Sequence, residues 1–439
     1  MISLPVRIWI PCRICGELIR PPDPGSIDEK RTIRYGVVHG DCLDSSRASS
    51  TGPRSSTGSA GGAATAVTNN GIDAWLQPIT ERSANVVGHL PGSGDGTSLI
   101  VDAHLDTGPA LSADATEADR RIEGAWVDGD LIIGKGVIND KGQLCAFMIA
   151  LRAIRRMGLQ LRGDCYLAGV AFETGRPSVG DLQGIDYPGE GFGSRWLVDR
   201  GITADFALVG ETSGFGIIKA ECGEASIKVH VPGKRVYTPR HERPDTLGPA
   251  SNAFVKAAHL VIAIEQWAIA YTRRETQPFP GGQFVPRAQV VKVSGSEALG
   301  WCDIHVDVRI VPGKNPELVR REIAQVAAKL GVEAKVSVYQ YSRGHVARGA
   351  EPLVAAIEAA HRDLFGTATP TPPAAETSMW RDVNVFNEVG IPSVCYGPPR
   401  QMEPFSGARD RAMKIDDLLS ATKVYAATIL NLCGIAPAD

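Results

Sequence analysis

The sequence lacks the features of a membrane protein, a nucleic-acid-binding protein or a repeat protein. Its 439 residues contain no apolar run close to the roughly 20 residues that span a bilayer. Basic and acidic residues are nearly balanced at 46 against 49, so no excess of positive charge favours nucleic acid or an anionic membrane surface as a partner. Aromatic residues make up only 6% of the chain, and no internal repeat is evident. This composition is typical of a globular protein with a sizeable core.

Cysteine is also sparse. The nine cysteines are an odd number spread over the whole chain. Pro5 and Arg7 interrupt the apolar stretch that a signal peptide would need. Scattered cysteines in a long chain without an export signal are typical of reduced thiols. We therefore expect a cytoplasmic protein that binds neither membrane nor nucleic acid.

A small group of metal-ligand residues stands in the N-terminal segment, residues 1–43. The group consists of Cys12, Cys15, His39 and Cys42. The spacing C-x2-C followed by H-x2-C is typical of a zinc knuckle or ribbon and predicts an additional structural zinc. The alternative is a poorly ordered leader with incidental thiols. Residues 44–66 are rich in serine, glycine, alanine and threonine and are predicted to form a flexible linker.

Short, almost wholly apolar runs alternate with helical patterns after the linker. The runs at 97–103, 165–173 and 204–211 suit strands that are buried on both faces of a mostly parallel sheet. Apolar residues at helical spacing within 140–157 predict a helix between the first two strands. The sequence therefore predicts a larger α/β domain, whose first part covers residues 67–222.

Residues 223–341 have a different pattern. Strands are predicted at 225–231, 288–294, 302–311 and 334–341, with helices at 252–266 and 315–330. The order βαββαβ is that of a ferredoxin-like unit. Residues 342–439 return to the style of the larger domain, with a helix at 351–365 and a buried strand at 391–397. We therefore expect a ferredoxin-like domain inserted into an α/β domain that has a mostly parallel sheet.

Polar residues lie where the predicted strands of the larger domain end. They are His104 and Asp106 after the first strand, Asp140 at the start of a helix, and Glu173 and Glu211 at the ends of the next two strands. Ligands bind at the carboxyl ends of strands in open α/β sheets. An imidazole with carboxylates suits a divalent transition metal, and Asp106 is placed to fix the tautomer of His104. Each residue alone is also explained as a helix cap or a solvated acid, but five at consecutive strand ends favour a metal site.

The motifs around these residues resemble those of the M20 metallopeptidase family. They are AHLDTGP, GVINDKGQLCAFMIAL, LVGETSG and, near the C-terminus, GIPSVCYGPP. The resemblance covers about residues 70–430 and implies a catalytic α/β domain with a ferredoxin-like lid, through which relatives form homo-oligomers. It also implies that His104, Asp140 and Glu211 bind the first metal and that Glu173 is the general base.

The sequence departs from the family pattern at the two positions whose side chains bind only the second metal. Thr174, a candidate to contact the substrate, stands where the family has a glutamate. No histidine follows His361, whereas the family's last ligand is a C-terminal histidine. We therefore expect one divalent transition metal, Mn, Fe, Co or Zn, in each active site. The identity of the base stays open, because GEGFGSRWLVDRG resembles the stretch that follows the family's base and makes Glu190 a rival to Glu173.

The resemblance also implies residues that bind the substrate. The lid histidine that serves relatives as an oxyanion donor matches the position of Tyr237, with His241 four residues later as the candidate donor or a solvated loop residue. Arg309 matches a lid arginine that binds a substrate carboxylate; the alternative is a surface ion pair. Trp380 and Arg381 are candidates to bind a flat, anionic substrate by stacking and charge, with core packing of Trp380 as the alternative.

A single metal restricts the substrates that can react. Without a second ion, the developing negative charge must be stabilised by protein donors, each worth about 3–4 kcal/mol, or by the substrate itself. The prediction is therefore a small anionic substrate and hydrolytic deamination, with 5-nitroanthranilate giving 5-nitrosalicylate and ammonia, as in an unusual branch of the family. One alternative is an N-acyl-amino-acid amidohydrolase or exopeptidase of the M20 type that recruits a second ion. The other is a relative that binds its ligand without turnover.

Overall fold

The computed structural model describes residues 10–11, 18–19, 56–69, 71–107, 116–117, 120, 124–174, 189–240, 242, 252–296, 300–400 and 411–437. The predicted zinc ligands Cys12, Cys15, His39 and Cys42 and the candidate oxyanion donor His241 lie outside the described residues. Their roles therefore stay predictions.

The chain alternates strands and helices along its length. In chain order the strands are β1 (Ile10–Pro11), β2 (Leu18–Ile19), β3 (Asp73–Thr80), β4 (Ser83–Leu90), β5 (Leu99–His104), β6 (Ala125–Asp128), β7 (Leu131–Gly134), β8 (Cys165–Val170), β9 (Phe206–Val209), β10 (Ala220–Glu221), β11 (Gly223–Pro232), β12 (Gln277–Phe279), β13 (Gly282–Phe284), β14 (Ala288–Ser296), β15 (Trp301–Ile310), β16 (Lys335–Ser342), β17 (His345–Val346), β18 (Ser393–Cys395) and β19 (Ala412–Lys414). The α-helices are α1 (Ser56–Asn69), α2 (Gly142–Arg156), α3 (Phe192–Asp199), α4 (Ala253–Glu275), α5 (Pro316–Lys329), α6 (Glu351–Phe365), α7 (Val383–Glu388) and α8 (Ile415–Cys433). Shorter helical turns lie at Val137–Lys141, Thr238–Arg240 and Glu376–Ser378.

A six-stranded sheet forms the centre of the larger domain, in the order β18-β9-β5-β8-β4-β3. The strands from β18 to β8 are parallel, and β4 and β3 extend the sheet in antiparallel pairing. Helices cover both faces of the sheet. Leu151 of α2, Ile357 of α6 and Ile429 of α8 belong to one core cluster, and Leu197 of α3 and Phe386 of α7 belong to the other. The predicted α/β class with a mostly parallel sheet is confirmed.

The smaller domain is a four-stranded antiparallel sheet with two helices on one face. The strands lie in the order β14-β15-β11-β16, and the elements follow along the chain as β11, α4, β14, β15, α5 and β16. Ile227 and Ile304 from the sheet share one core with Leu260 of α4 and Ile323 of α5. The observed order of elements is therefore βαββαβ, the order of a ferredoxin-like unit.

Four smaller sheets complete the described fold. Strands β6, β7 and β19 form a three-stranded sheet, while β10 pairs with β17, β12 with β13 and β1 with β2. The pairing of β10 with β17 joins the two ends of the smaller domain, because β10 directly precedes it and β17 directly follows it. The chain therefore enters the smaller domain through β10 and leaves it through β17, and these two strands pair with each other.

The linker prediction was wrong for its second half. Residues Ser56–Asn69 form α1, in which Ala63 and Val67, one turn apart, are buried in the main core. Val67 lies so close to Gly88 of β4 that any side chain at position 88 would collide with it. Gly88, which has no side chain, therefore allows the helix to approach the sheet closely. Residues 44–55 lie outside the part of the chain that the structure describes.

Among the described residues, one helix, α4, is long and apolar enough to cross a membrane by length and composition. Lys256 and Glu265 interrupt the apolar sequence of this helix. Leu260 and Ile264 on one face of α4 pack into the core of the smaller domain. We therefore describe α4 as a helix of that domain.

Candidate metal centre

Three adjacent parallel strands bring polar residues to one edge of the central sheet. His104 is the last residue of β5, Glu173 follows β8, and Glu211 follows β9. Asp140 lies in the turn Val137–Lys141, directly before α2, and this turn contacts β5. Residues distant in sequence therefore meet at the carboxyl ends of the strands, as expected for an open α/β sheet.

His104, Asp140 and Glu211 form a compact, buried group that fits a divalent metal. Their potential ligand atoms all lie within 4.8 Å of one another, and none of the three residues is more than 2% exposed. Nε2 of His104, both carboxylate oxygens of Asp140 and Oε2 of Glu211 have no hydrogen-bond partner. Buried carboxylates are rarely left without donors, so this group of acceptor atoms is suited to a cation.

The electrostatics of the group also favour a bound cation. Burial raises the pKa of Asp140 well above its usual value, and the negative charge of Glu211 adds to the effect. Burial lowers the pKa of His104, but the carboxylates of Asp106 and Glu211 outweigh it, so this pKa is raised overall. Both shifts reflect an excess of buried negative charge. A divalent cation at this position would neutralise that excess.

Asp106 contacts His104 through its backbone oxygen, and its side chain contacts the turn that carries Glu173. Nδ1 of His104 lies 2.8 Å from the backbone oxygen of Asp106 and 3.7 Å from its Oδ1. The backbone oxygen, rather than the predicted carboxylate, therefore makes the closer contact. The carboxylate accepts hydrogen bonds from the backbone N–H groups of Glu173 and Thr174 and from Oγ1 of Thr174, at 3.2, 2.9 and 2.5 Å. The Thr174 hydroxyl thus donates to Asp106, and its contact with substrate stays a prediction.

Glu173 lies beside the metal-ligand group without belonging to it. Its Oε2 is 3.5 Å from Nε2 of His104. Burial raises the pKa of Glu173 well above its usual value, and the charges of Asp382 and Glu211 raise it further. The preceding residue, Phe172, has a φ of 62°, which is a strained conformation for a bulky residue. This strained turn directs the chain after β8 so that Glu173 faces His104, and no pattern in the sequence predicts it.

Glu190, the rival candidate for the base, lies between the two domains. It forms a hydrogen bond with Glu224 of β11 and lies near Arg309 of β15. Burial raises the pKa of Glu190 well above its usual value, and the charge of Glu224 adds to this. Glu173 is among the carboxylates that contact the ring of His104, and Glu190 is not. The geometry therefore favours Glu173 as the base.

Arg309 forms ion pairs inside the smaller domain. Its guanidinium contacts Glu224, and Nη2 lies 3.4 Å from Oδ2 of Asp307. A substrate carboxylate at this position would have to share the guanidinium with Glu224. Tyr237, which matches the family's lid histidine in sequence, is 71% exposed, so in this chain its side chain faces solvent.

Trp380 is buried and packs in the core, which fits the alternative to its predicted stacking on the substrate. Its ring lies against Gly191, where a Cβ atom would come within 2.4 Å of the ring, and Nε1 donates to the backbone oxygen of Arg343 at 3.2 Å. Gly191 also has a φ of 69°, so both its conformation and the ring require glycine. The neighbouring Arg381 is buried as well, and its guanidinium is occupied by protein carboxylates. A role of Arg381 in binding substrate stays a prediction.

Two further buried carboxylates, Asp102 and Asp382, lie near His104. Asp102 precedes His104 by two residues in β5, so both side chains point to the same face of the sheet. Asp382 directly precedes α7. Burial raises the pKa of Asp382 to about 7 and that of Asp102 well above its usual value, with the charge of Asp382 adding to the latter. In the sequence, only the two-residue spacing of Asp102 and His104 could have indicated that Asp102 lies at the site.

The chain is similar to known proteins in sequence and in fold. Residues 100–431 match the sequence profile of Peptidase family M20/M25/M40. N-formyl-4-amino-5-aminomethyl-2-methylpyrimidine deformylase of Bacillus subtilis is 24% identical over 401 residues, which cover 82% of this chain and 85% of that protein. [LysW]-lysine hydrolase of Deinococcus radiodurans is 26% identical over 338 residues, covering 75% and 79%. The solved structure of human carnosine dipeptidase 1 superposes with a TM-score of 0.66 at 14% identity and covers 90% of this chain and 94% of that one, so the two share a fold.

Proposed function

The chain belongs to Peptidase family M20/M25/M40, a family of metal-binding hydrolases of amide and other C–N bonds, and on this premise we propose that it uses a single divalent metal to hydrolyse a C–N bond in a small molecule. The observation that carries the proposal is the convergence of His104, Asp140 and Glu211, where Nε2 of His104, both carboxylate oxygens of Asp140 and Oε2 of Glu211 make no hydrogen bond. These residues are the proposed metal ligands, and Glu173 is the proposed general base.

Two observations support one metal rather than two. In the described part of the chain, His104, Asp140 and Glu211 are the one group of three or more potential ligands. Thr174, at the position of the family's second-metal glutamate, donates its hydroxyl to Asp106. The ligand set of one imidazole and two carboxylates suits Mn, Fe, Co or Zn. We propose Mn as the first metal to test, because a site rich in carboxylates favours a hard ion.

The residues of the chain divide the work of the reaction. A divalent metal supplies a Lewis acid that polarises the substrate and lowers the pKa of water. The backbone oxygen of Asp106 accepts from Nδ1–H of His104 and keeps Nε2 available as a ligand. Glu173, whose pKa is raised by burial, is suited to accept a proton from the attacking water and to return it to the leaving nitrogen. Phe172 keeps that carboxylate in place through the backbone turn described above.

The finer proposal for the substrate is 5-nitroanthranilate, converted to 5-nitrosalicylate and ammonia. The argument is chemical: with one metal, a nitro group para to the amine can take up the negative charge that a second ion would otherwise stabilise. The substrate carboxylate would bind the metal or share Arg309 with Glu224. An N-acyl amidohydrolase is the second candidate, and it is favoured by the similarity to a deformylase over 82% of this chain.

The two candidates differ in their products. Purified protein loaded with Mn²⁺ is assayed for ammonia with 5-nitroanthranilate and for free carboxylic acid with a panel of N-formyl and N-acyl amines. Rapid ammonia release from the nitroaromatic alone supports deamination. Acid release from an acylated amine, without ammonia from the nitroaromatic, supports amide hydrolysis instead. If neither class of substrate gives a product, both candidates are contradicted.

We also propose that a second copy of this chain binds the outer surface of the smaller domain. The edge strand β14 has a single neighbour in its described sheet, and its Val293 is 49% exposed. Ile262 and Ile269 of α4, which contacts β14, are also exposed. An exposed edge strand next to apolar side chains favours pairing with another chain. A cytoplasmic location is a further proposal, supported by the six described cysteines, which form no disulfide bond with one another.

A further inference from the structure

Arg381 is in direct contact with the proposed metal ligand Glu211. Its Nε is 3.4 Å from Oε2 of Glu211. Nη2 also donates to the backbone oxygen of Thr212 at 3.2 Å. One guanidinium therefore contacts both the Glu211 carboxylate and the backbone of the next residue, which fixes the side chain and the peptide that carries it.

Two further carboxylates hold the guanidinium in this position. Nη1 donates to Oε1 of Glu221 at 2.5 Å, and Nη2 donates to Oε2 of Glu376. Nη1 additionally donates to the backbone oxygen of Glu376 at 3.1 Å. A planar guanidinium presents its donors in a fixed fork, so contacts on all three nitrogens leave it one orientation.

The network is buried. Arg381 and Glu211 are each 2% exposed, and Glu221 is fully buried. Three carboxylates contact the one guanidinium of Arg381. Breaking such a buried network by removing one partner is costly, because it leaves uncompensated charge. No nitrogen of Arg381 remains for a substrate carboxylate.

The network also connects to the loop that follows β18. Nε of Arg400 lies 3.4 Å from Oε1 of Glu376, and Nη2 donates to Oγ1 of Thr212 at 3.1 Å. Thr212 in turn donates its hydroxyl to Oε2 of Glu376. Glu376 is therefore held from two sides, and the position of Arg381 depends on contacts that span residues 212 to 400.

We propose that Arg381 is a positioning residue of the metal centre, which holds the Glu211 carboxylate in its ligating orientation through the network that Glu221 and Glu376 anchor. The proposal rests on the proposed function only in that Glu211 is a metal ligand. Groups that orient a metal ligand affect metal affinity and the reaction rate about 10- to 100-fold when they are changed. They leave the binding of substrate to the loaded enzyme unchanged.

The test compares Arg381→Lys with the wild-type chain and with Arg320→Lys. The control changes an arginine that also binds a carboxylate, Glu317, but lies on the surface of α5. Mn²⁺ is titrated into metal-free protein, and free Mn²⁺ is measured by electron paramagnetic resonance. We expect Arg381→Lys to weaken Mn²⁺ binding about 10- to 100-fold, and Arg320→Lys to leave it unchanged. At saturating Mn²⁺, kcat falls and KM stays the same.

Unchanged Mn²⁺ affinity in a folded Arg381→Lys chain overturns the proposal, and a raised KM at unchanged affinity assigns Arg381 to the substrate instead. If Arg381→Lys does not fold, Arg381→Met combined with Glu221→Gln and Glu376→Gln removes the guanidinium together with two of its carboxylates. That variant must also show weakened Mn²⁺ binding. Failure of the proposed function gives a different result. If Glu211 is not a metal ligand, replacing it leaves the Mn²⁺ binding of the chain unchanged, whatever Arg381→Lys does.

Discussion

The backbone oxygen of Asp106 lies 2.8 Å from Nδ1 of His104, closer than the Oδ1 of the same residue at 3.7 Å. The imidazole is therefore held by the main chain, which cannot be protonated or replaced by mutation. This contact places the proton on Nδ1. It leaves Nε2, which makes no hydrogen bond, to face Asp140 and Glu211. The carboxylate of Asp106 is then free to hold the turn that carries Glu173.

Replacing the proposed base tests its role directly. Glu173→Gln keeps the size of the side chain but removes the proton acceptor, so kcat should fall about 10²- to 10⁴-fold while Mn²⁺ still binds. Glu190→Gln is the matched control, because Glu190 is a buried carboxylate of the same kind between the domains. Steady-state kinetics of the two variants distinguish them. Equal loss of activity in both, or loss in Glu190→Gln alone, would transfer the role of base to Glu190.

The pH dependence of the reaction should report the same carboxylate. Glu173 must be ionised to accept a proton, and burial raises its pKa above the usual value of 4.5. The value of kcat/KM should therefore fall as the pH decreases through an apparent pKa above 4.5. A pH profile of the Mn²⁺-loaded enzyme measures this. Full activity maintained down to pH 4.5 would show that no such group is needed.

The stability of the metal-free protein should fall as the pH rises. Asp382 and Glu221 have pKa values raised by burial to about 7 and about 8, from usual values of 3.8 and 4.5. The folded chain therefore binds more protons than the unfolded chain between these limits. Their stabilising contribution is complete below about pH 4 and is lost as the pH rises through 7 to 8.

Urea unfolding in the presence of a chelator checks this prediction. The free energy of unfolding should be lower at pH 8.5 than at pH 5.5, and Asp382→Asn should weaken the dependence because one titrating carboxyl is gone. The stability of the metal-free wild type rising over the same interval would contradict the account.

Association through the smaller domain can be tested by charging its exposed surface. Ile262 and Val293 are 61% and 49% exposed, and lysine at both positions should halve the mass measured by light scattering, because two buried charges oppose an apolar interface. Met157→Lys, at an exposed apolar residue after α2, is the matched control. An unchanged mass in the double variant would place the interface elsewhere or exclude it.

Much of the fold and the metal-ligand group could be predicted because their signals are local. The buried strands are short apolar runs, and His104, Glu173 and Glu211 stand at or just beyond their ends. The βαββαβ order of the smaller domain is likewise visible in alternating and helical spacing.

The roles of single polar residues could not be predicted in the same way. Arg381 finds its partners 160 and more residues away in sequence, at Glu221 and Glu211, and no spacing reveals such a pairing. The helix α1 was hidden because its many small residues suggested flexibility, whereas the packing of Val67 on Gly88 of β4 is not visible in the composition. Trp380 likewise packs on a glycine that precedes it by many residues. These errors all concern contacts that form only in the folded chain.

The central claim is that one metal, held by His104, Asp140 and Glu211, is sufficient for function. The most direct test adds Mn²⁺ stepwise to metal-free protein and measures bound Mn²⁺ and activity together, in the wild-type chain, in His104→Ala and in Cys12→Ala. We predict that activity saturates at one bound Mn²⁺ per chain, that His104→Ala loses both the ion and the activity, and that Cys12→Ala keeps both. Activity that requires a second bound ion, or that persists in His104→Ala, would contradict the account.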